Sequence, residues 1–265
     1  MEEMIAIKVD RILTPDIEIT PGVILIEKGK ILEVGNAHQL QIPTDAHLID
    51  TAGIIAVPGF IDTHVHGRDG HMFGEDYEST RDLCKTVVST GVTSLLPTLG
   101  SWSGIEKSLG EIQNVRRVMR DGTGGAEILG IHMEGPFLSG ADIARGSQPV
   151  SELHKPSIQE LVAMVEASEG TIRKMTIAPE LDGALDVIRE LVRMNIVASA
   201  GHTAATYEQM QAGIAAGVSS CCHTFNGMLP FHHRKPGVLG AVLTSNGLPA
   251  CVTGRHENIV YVQGL

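Results

Sequence analysis

The chain has 265 residues, enough for one α/β barrel of about 250 residues. Its formal net charge of −11 and 3% aromatic content argue against nucleic-acid binding, which needs Lys and Arg clusters and stacking platforms. No apolar run approaches the roughly 20 residues that cross a bilayer, and the acidic start MEEMIAIKVD lacks the basic flank of a secretory signal. We therefore expect a cytoplasmic protein without nucleic-acid or membrane partners.

The cysteines support the same compartment. Cys84, Cys221, Cys222 and Cys251 show no CxxC spacing, and two of them are adjacent. Such a pattern favours reduced thiols that fill the core over a disulfide framework.

The first part of the chain predicts a small β-layer. Segments MIAIKV, VILIE and ILEV are typical of short strands, with a hairpin turn over residues 27–30. After Gly53 the pattern changes to long apolar strands alternating with helical segments, which is typical of parallel βαβ units. We expect an N-terminal β-hairpin or β-sandwich portion over 1–53 and a (β/α) barrel over 54–265.

The barrel is predicted to contain about seven strands and five long helices. The strands are expected near Ile54–Val65, Val92–Thr98, Glu127–Met133, Ile172–Ala178, Ile196–Ala200, Val218–His223 and Leu248–Thr253. The helices are expected near Tyr77–Thr90, Ser103–Arg120, Ser157–Ser168, Leu185–Asn195 and Thr206–Gly217, the third starting with a capping box of Ser157 and Glu160. A closed TIM-type barrel needs eight strands, so the predicted fold class is an incomplete (β/α) barrel.

Metal-ligating side chains follow several of these strands. His64 and His66 form a His-x-His pair whose side chains share one face of a strand, as two ligands of one ion would. The alternative for the pair is two solvated or hydrogen-bonded histidines. Glu134 ends the apolar strand ILGIHME, where a carboxylate must be paired or bind a cation unless it lies at the surface. His132 shares its face and is expected at most to orient Glu134 or a water.

Two further histidines complete the predicted centre. His202 and His223 each end an apolar strand, and each alone would more often be structural. Five candidate ligands at the carboxyl ends of four strands of one barrel predict instead a site for one or two divalent ions, with Glu134 able to bridge them.

Five segments, HVHG, HMEGPF, SAGHT, HTFNGM and HHRKPG, resemble the N-acetylglucosamine-6-phosphate deacetylase family of the amidohydrolase superfamily of metal-dependent hydrolases. The resemblance covers residues up to about 245. It implies a cytoplasmic homodimer that uses zinc, iron, manganese or cobalt to remove the acetyl group from a phosphorylated amino sugar. It also implies that Glu134, His202 and His223 hold the principal ion and that His64 and His66 add a second site.

The same resemblance implies substrate-binding residues. Asn226 and Gly227 would contact the sugar phosphate, and Arg234 would reach the phosphate bound by the neighbouring subunit, where its planar fork gives paired hydrogen bonds. Gln148 stands where many members have a histidine, and His256 is a weaker match. Without the resemblance, Arg234 would be taken as a solvated loop cation.

The family's catalytic aspartate, carried on the eighth strand, has no counterpart up to Leu265. We therefore expect a chain that binds metal but turns over its substrate poorly or not at all. Two alternatives stay open: a non-catalytic, metal-binding truncated homologue, and an amidohydrolase acting on another amide or as a deaminase.

Overall fold

The computed structural model describes residues 4–100, 104–253 and 259–262. The chain divides into two compact units, Met1–Gly59 and Phe60–Leu265. The boundary that we predicted, between residues 53 and 54, precedes the short strand Ile55–Ala56. That strand pairs in parallel with Arg11–Leu13, which is why the first unit extends beyond residue 53.

The N-terminal unit is built of two small sheets. Its strands are β1 Ile5–Val9, β2 Arg11–Leu13, β3 Glu18–Ile19, β4 Gly22–Glu27, β5 Lys30–Asn36, β6 His47–Asp50 and β7 Ile55–Ala56. One sheet has the order β5-β4-β1-β6 and the other β3-β2-β7. The predicted hairpin joins β4 to β5 through Lys28 and Gly29, both with positive φ (53° and 71°), as a two-residue type I′ turn requires.

The second unit contains a curled sheet of mainly parallel strands. These strands are β8 Phe60–Val65, β9 Gly67–Arg68, β10 His71–Met72, β11 Val92–Gly100, β12 Glu127–Ile128, β13 Ile131–Glu134, β14 Ile172–Ile177, β15 Val197–Ala200, β16 Val218–Cys221, β17 Ala250–Thr253 and β18 Ile259–Val262. Strands β9 and β10 form a separate two-stranded ribbon. The others belong to the curled sheet.

The order of the sheet is that of a barrel opened along one side. Strand β8 pairs in parallel with β11, and β11 pairs in parallel with both β12 and β13, which together occupy one strand position. Parallel pairing then runs from β13 through β14, β15 and β16 to β17. Within the described residues this gives seven parallel strand positions, so the predicted incomplete TIM-type barrel is confirmed. The antiparallel partner of β17, β18, was not predicted.

Helices cross between most of these strands. They are α1 Tyr77–Val87, α2 Gly104–Asp121, α3 Asp142–Arg145, α4 Ile158–Ala167, α5 Ala184–Arg193, α6 Tyr207–Ala216 and α7 Gly237–Thr244, with 3₁₀ turns at Val88–Thr90 and Val150–Glu152. The five predicted long helices are present, whereas α3 and α7 were missed. Helix α7 has six buried residues in eight, so its sequence carries no polar face to reveal a helical period.

Local capping explains where two helices begin. Ser157 Oγ accepts the Glu160 N–H at the start of α4, as predicted, but the Glu160 carboxylate lies 2.9 Å from His154 Nδ1. A complete capping box occurs instead at α6, where Thr206 and Gln209 satisfy each other's backbone N–H groups.

A single apolar cluster fills the space between the curled sheet and its helices. Its fully buried members include Leu95, Ile131, Met175 and Leu191, from three strands and α5. Burying such side chains contributes roughly 1.5–3 kcal/mol each, so this cluster fixes the sheet that carries the site. In the described part of the chain, no helix combines the length and hydrophobicity that a membrane crossing requires.

Candidate metal centre

The predicted ligands meet at the carboxyl ends of the parallel strands. His64 lies in β8, His66 directly after it, and Glu134 is the last residue of β13, while His202 and His223 lie two residues beyond β15 and β16. One carboxylate, that of Glu134, is at the centre. Its oxygens lie 3.1 Å from His64 Nε2, 3.2 Å from His66 Nε2, 3.4 Å from His202 Nε2 and 3.2 Å from His223 Nε2.

The backbone at two of these ligands is unusual. His202 and His223 have φ values of 45° and 26°, in the left-handed region that non-glycine residues rarely adopt. Such a conformation costs about 1–3 kcal/mol and persists only where the surroundings impose it. Here the backbone bonds from Thr203 N to Gly227 O and from Cys222 N to Ala200 O hold the two turns. Strain at both positions is typical of residues that are aimed at a common point.

Backbone carbonyls fix the tautomers of three rings. His66 Nδ1 lies 3.0 Å from Thr98 O, His202 Nδ1 2.8 Å from Ala144 O, and His223 Nδ1 2.9 Å from Asn226 O. A carbonyl oxygen only accepts, so each Nδ1 carries the proton and donates it. In the neutral rings the Nε2 lone pairs therefore point towards Glu134.

Lone pairs and a carboxylate cannot face each other at 3.1–3.4 Å without positive charge between them. In the metal-free chain that charge is supplied by protons. Burial alone would raise the pKa of Glu134, but hydrogen bonds from His202, His223 and the other rings outweigh it and hold the pKa well below its usual range. Burial lowers the pKa of His64, yet Cys222 and Glu134 together raise it to about 10.

A divalent cation can replace these protons with the same donor atoms. Two ligands about 2.1 Å from one tetrahedral ion are separated by roughly 3.4 Å, close to the separations found around Glu134. The ligand atoms form two overlapping groups, His64–His66–Glu134 and Glu134–His202–His223, each within 4.8 Å. A histidine that binds metal through one ring nitrogen usually donates a hydrogen bond from the other, often to a backbone carbonyl, as these rings do. The residues present fit a divalent ion.

The predicted substrate-binding residues occupy different positions around this centre. Gln148 is buried and donates from Nε2 to Glu134 Oε2 over 3.3 Å. The backbone carbonyls of Asn226 and Gly227 accept from His223 Nδ1 and Thr203 N, so this loop also shapes the centre. Arg234 is exposed on the following loop. His256 lies outside the described residues.

Some residues that orient the ligand histidines were not predicted from the sequence. Thr98 and Ala144 orient His66 and His202 through main-chain carbonyls, which any residue could supply, so their identity gives no signal. We expected His132 to orient Glu134 or a water. Its Nδ1 instead lies 3.1 Å from Thr63 O and its Nε2 2.7 Å from Thr176 Oγ1, deeper in the barrel.

Comparison with known proteins places these features in a family. The model of the amidohydrolase family matches residues 55–249. The chain is 32% identical over 223 residues to N-acetylglucosamine-6-phosphate deacetylase of Vibrio furnissii, covering 84% of this chain and 55% of that protein. It is 35% identical over 219 residues to N-acetylgalactosamine-6-phosphate deacetylase of Escherichia coli O157:H7, covering 78% of this chain and 57% of that protein.

Solved structures agree with the sequence relatives. The crystal structure of N-acetyl-D-glucosamine-6-phosphate deacetylase from Mycobacterium smegmatis superimposes with a TM-score of 0.84 at 33% identity, over 94% of this chain and 68% of that chain. The chain thus spans little more than half the length of the curated relatives it matches.

Proposed function

Because the chain belongs to the amidohydrolase family, we propose that its metal centre serves hydrolysis of the acetamide of N-acetylglucosamine 6-phosphate to glucosamine 6-phosphate and acetate. The observation that carries this proposal is the Glu134 carboxylate enclosed by four imidazole nitrogens at the carboxyl ends of the strands. The deacetylase names of the relatives supply the substrate.

Glu134, His202 and His223 would hold the principal ion, and His64 and His66 would join Glu134 around a second. The donor set suits zinc, iron, manganese or cobalt better than magnesium or calcium, which prefer oxygen alone. A bound divalent ion supplies a water of lowered pKa and polarises the acetamide carbonyl. Gln148 holds the Glu134 carboxylate in place for this arrangement.

The substrate would be bound by the loops beyond β15 and β16. Amide donors at Asn226 and Gly227 lie beside the ligand histidines and would contact the sugar phosphate, and Gln148 and His256 would contribute further hydrogen bonds. Arg234 is exposed, so it is free to reach a phosphate bound by a second subunit of a homodimer. We further propose that this dimer acts in the cytoplasm.

Proton transfer is the step for which this site offers the least support from its side chains. In the described residues, Glu134 is the one carboxylate within these clusters, and as a ligand it cannot also carry protons freely. A missing general base typically costs about 10² to 10⁴ in rate. We therefore expect the chain to release acetate slowly compared with a relative that carries a general base beside its metal ligands.

The direct test is acetate release from N-acetylglucosamine 6-phosphate by the chain supplied with zinc, manganese or cobalt. Slow, metal-dependent release that disappears in Glu134→Gln is expected, together with metal-dependent binding of the phosphosugar measured by calorimetry. The unphosphorylated sugar should bind more weakly. Neither release nor binding with any of the three metals would contradict the proposal.

The same assay distinguishes the alternatives. One relative acts on the galactosamine epimer, so N-acetylgalactosamine 6-phosphate belongs in a parallel arm, and a preference for it would change the sugar but not the reaction. Binding of metal and phosphosugar without any acetate release would identify a non-catalytic homologue. Hydrolysis of unphosphorylated amides, unaffected by Arg234→Ala, would indicate a different amidohydrolase reaction.

A further inference from the structure

A second group of metal-ligating side chains lies deeper in the barrel than Glu134. Cys222, His132 and His64 each offer a ligand atom, and the three atoms lie within 4.8 Å of one another. Cys222 and His132 are fully buried. The proposed hydrolysis gives no role to the thiol or to His132.

The thiol of Cys222 is held in a polar environment. Its Sγ lies 2.9 Å from Thr176 Oγ1, 3.2 Å from Ser199 Oγ and 3.8 Å from His132 Nε2. The backbone bond from Cys222 N to Ala200 O ties its position to the end of β15. A thiol that merely fills apolar core would not be surrounded by two hydroxyls and an imidazole.

The tautomer of the neutral His132 ring leaves a lone pair on Nε2, the nitrogen that faces the Cys222 thiol. Its Nδ1 lies 3.1 Å from Thr63 O and must donate to this carbonyl, so Nε2 carries no proton in the neutral ring. Nε2 lies 2.7 Å from Thr176 Oγ1, whose hydrogen can turn towards Cys222 Sγ, 2.9 Å away, when another partner binds the ring. Nε2 is therefore available as a ligand.

His64 has one nitrogen for each group. Its Nε2 lies 3.1 Å from Glu134 Oε1, whereas its Nδ1 is buried and has no hydrogen-bond partner among the described residues. A buried polar atom without a partner is costly, and a cation bound at this nitrogen would remove that cost. The ring of His64 can thus serve the Glu134 centre through Nε2 or the deeper group through Nδ1, and it serves both at once only as an imidazolate, after both ring protons have left to solvent.

We propose that Cys222, His132 and His64 form an additional, thiolate-containing cation site, separate from the one or two ions around Glu134 and deeper in the barrel. One sulfur and two imidazole nitrogens suit zinc or cobalt(II), and disfavour magnesium and calcium. The separation of 3.8 Å between Cys222 Sγ and His132 Nε2 is close to the roughly 3.6 Å expected for sulfur and nitrogen on one tetrahedral ion. The proposal does not depend on deacetylation.

Cobalt(II) is the probe, because a cobalt–thiolate bond gives an intense near-ultraviolet charge-transfer band that nitrogen and oxygen ligands do not give. The metal-free chain is titrated with cobalt(II), and zinc is then added in competition. We expect the band in the unmodified chain, its persistence in Glu134→Gln, and its loss on addition of zinc. We also expect its loss in Cys222→Ser and a weakening of cobalt affinity by at least about tenfold in His132→Gln.

Two other buried thiols provide matched controls. Cys221 is the adjacent residue and Cys84 lies in α1, and both are free and fully buried. Cys221→Ser and Cys84→Ser should keep the band, with folding of every variant checked by circular dichroism. No band at saturating cobalt in the unmodified chain would overturn the proposal without reference to any variant. A band that survives in Cys222→Ser would also overturn the proposal. A band that disappears in Glu134→Gln would do the same, because it would belong to the Glu134 centre.

Discussion

At the scale of single residues, the orientation of the rings decides what the centre can bind. Histidines at positions 66, 202 and 223 each donate from Nδ1 to a backbone carbonyl, and each therefore presents Nε2 to Glu134. The histidines and the glutamate could be predicted from the sequence because their residue types carry the chemistry. The carbonyls of Thr98, Ala144 and Asn226 could not, because a main-chain contact leaves no trace in residue identity.

Gln148 provides a test of how the carboxylate is held. Its amide donates to Glu134 Oε2, so Gln148→Leu removes a bond while keeping a similar volume. Partners of this kind typically contribute about 10- to 100-fold to metal affinity, and we expect a loss of this size in zinc affinity measured by chelator competition. Gln113→Leu, at an exposed position of α2, is the matched control. Equal zinc affinities for both variants would show that Gln148 does not position the carboxylate.

The titration of His132 is expected to make a large contribution to the fall in the free energy of unfolding at acid pH. Burial, reinforced by Lys174, lowers its pKa from 6.5 to about 3. Because the unfolded chain takes up this proton first, the stabilisation is fully present above pH 6.5 and is lost as the pH falls towards 3. The expected slope is about 1.4 kcal/mol per pH unit.

Urea unfolding of the metal-free chain at several pH values between about 6.5 and 4 measures this slope. In His132→Gln the slope should be shallower by about one proton equivalent, whereas the slope contributed by other groups remains. Parallel pH profiles for the two proteins would contradict a neutral His132 in the folded state.

At the scale of elements, the ends of the strands are what bring distant residues together. We predicted strands at Ile196–Ala200 and Val218–His223. Strand β15 ends at Ala200 as predicted, whereas β16 ends at Cys221, and the ligands His202 and His223 follow on left-handed turns. Apolar runs reveal where a parallel strand lies. They do not reveal a strained turn, because its conformation is imposed by neighbouring loops such as the one containing Gly227.

Substitution of Gly201 tests how closely the turn before His202 is packed. A Cβ at this position would lie 2.7 Å from Thr176 Cγ2 and 2.9 Å from Cys222 Cβ. Gly201→Ala should therefore destabilise the fold by about 1–3 kcal/mol and weaken zinc binding at least about tenfold, as measured by urea unfolding and chelator competition. Gly140→Ala, where no atom lies within 4 Å of the added Cβ, should change neither quantity. A tolerated Gly201→Ala would mean that the turn has room to adjust.

At the scale of the whole molecule, the parallel sheet was largely predictable because buried strands between amphipathic helices have a distinct pattern. Each of the seven strand positions found in the described residues overlaps a predicted strand, although the first begins at Phe60 rather than at Ile54. Helix α7 was missed because it is apolar on all sides. The β17–β18 pairing was missed because the strand-forming residues of Ile259–Val262 do not reveal which neighbouring strand they pair with. At this scale, what could not be predicted is a helix without a polar face and the pairing partner of one short strand.

One carboxylate and four histidines from the ends of four strands are expected to bind divalent cations together, and on this the proposed chemistry depends. The most direct test is the zinc content of the chain after exposure to excess zinc and exhaustive dialysis, compared with that of Glu134→Gln treated in parallel, both freed of the deeper thiol by Cys222→Ser. We predict one or two zinc ions per chain with Glu134 and none in its absence. Equal zinc contents in the two proteins, or none in either, would contradict this prediction.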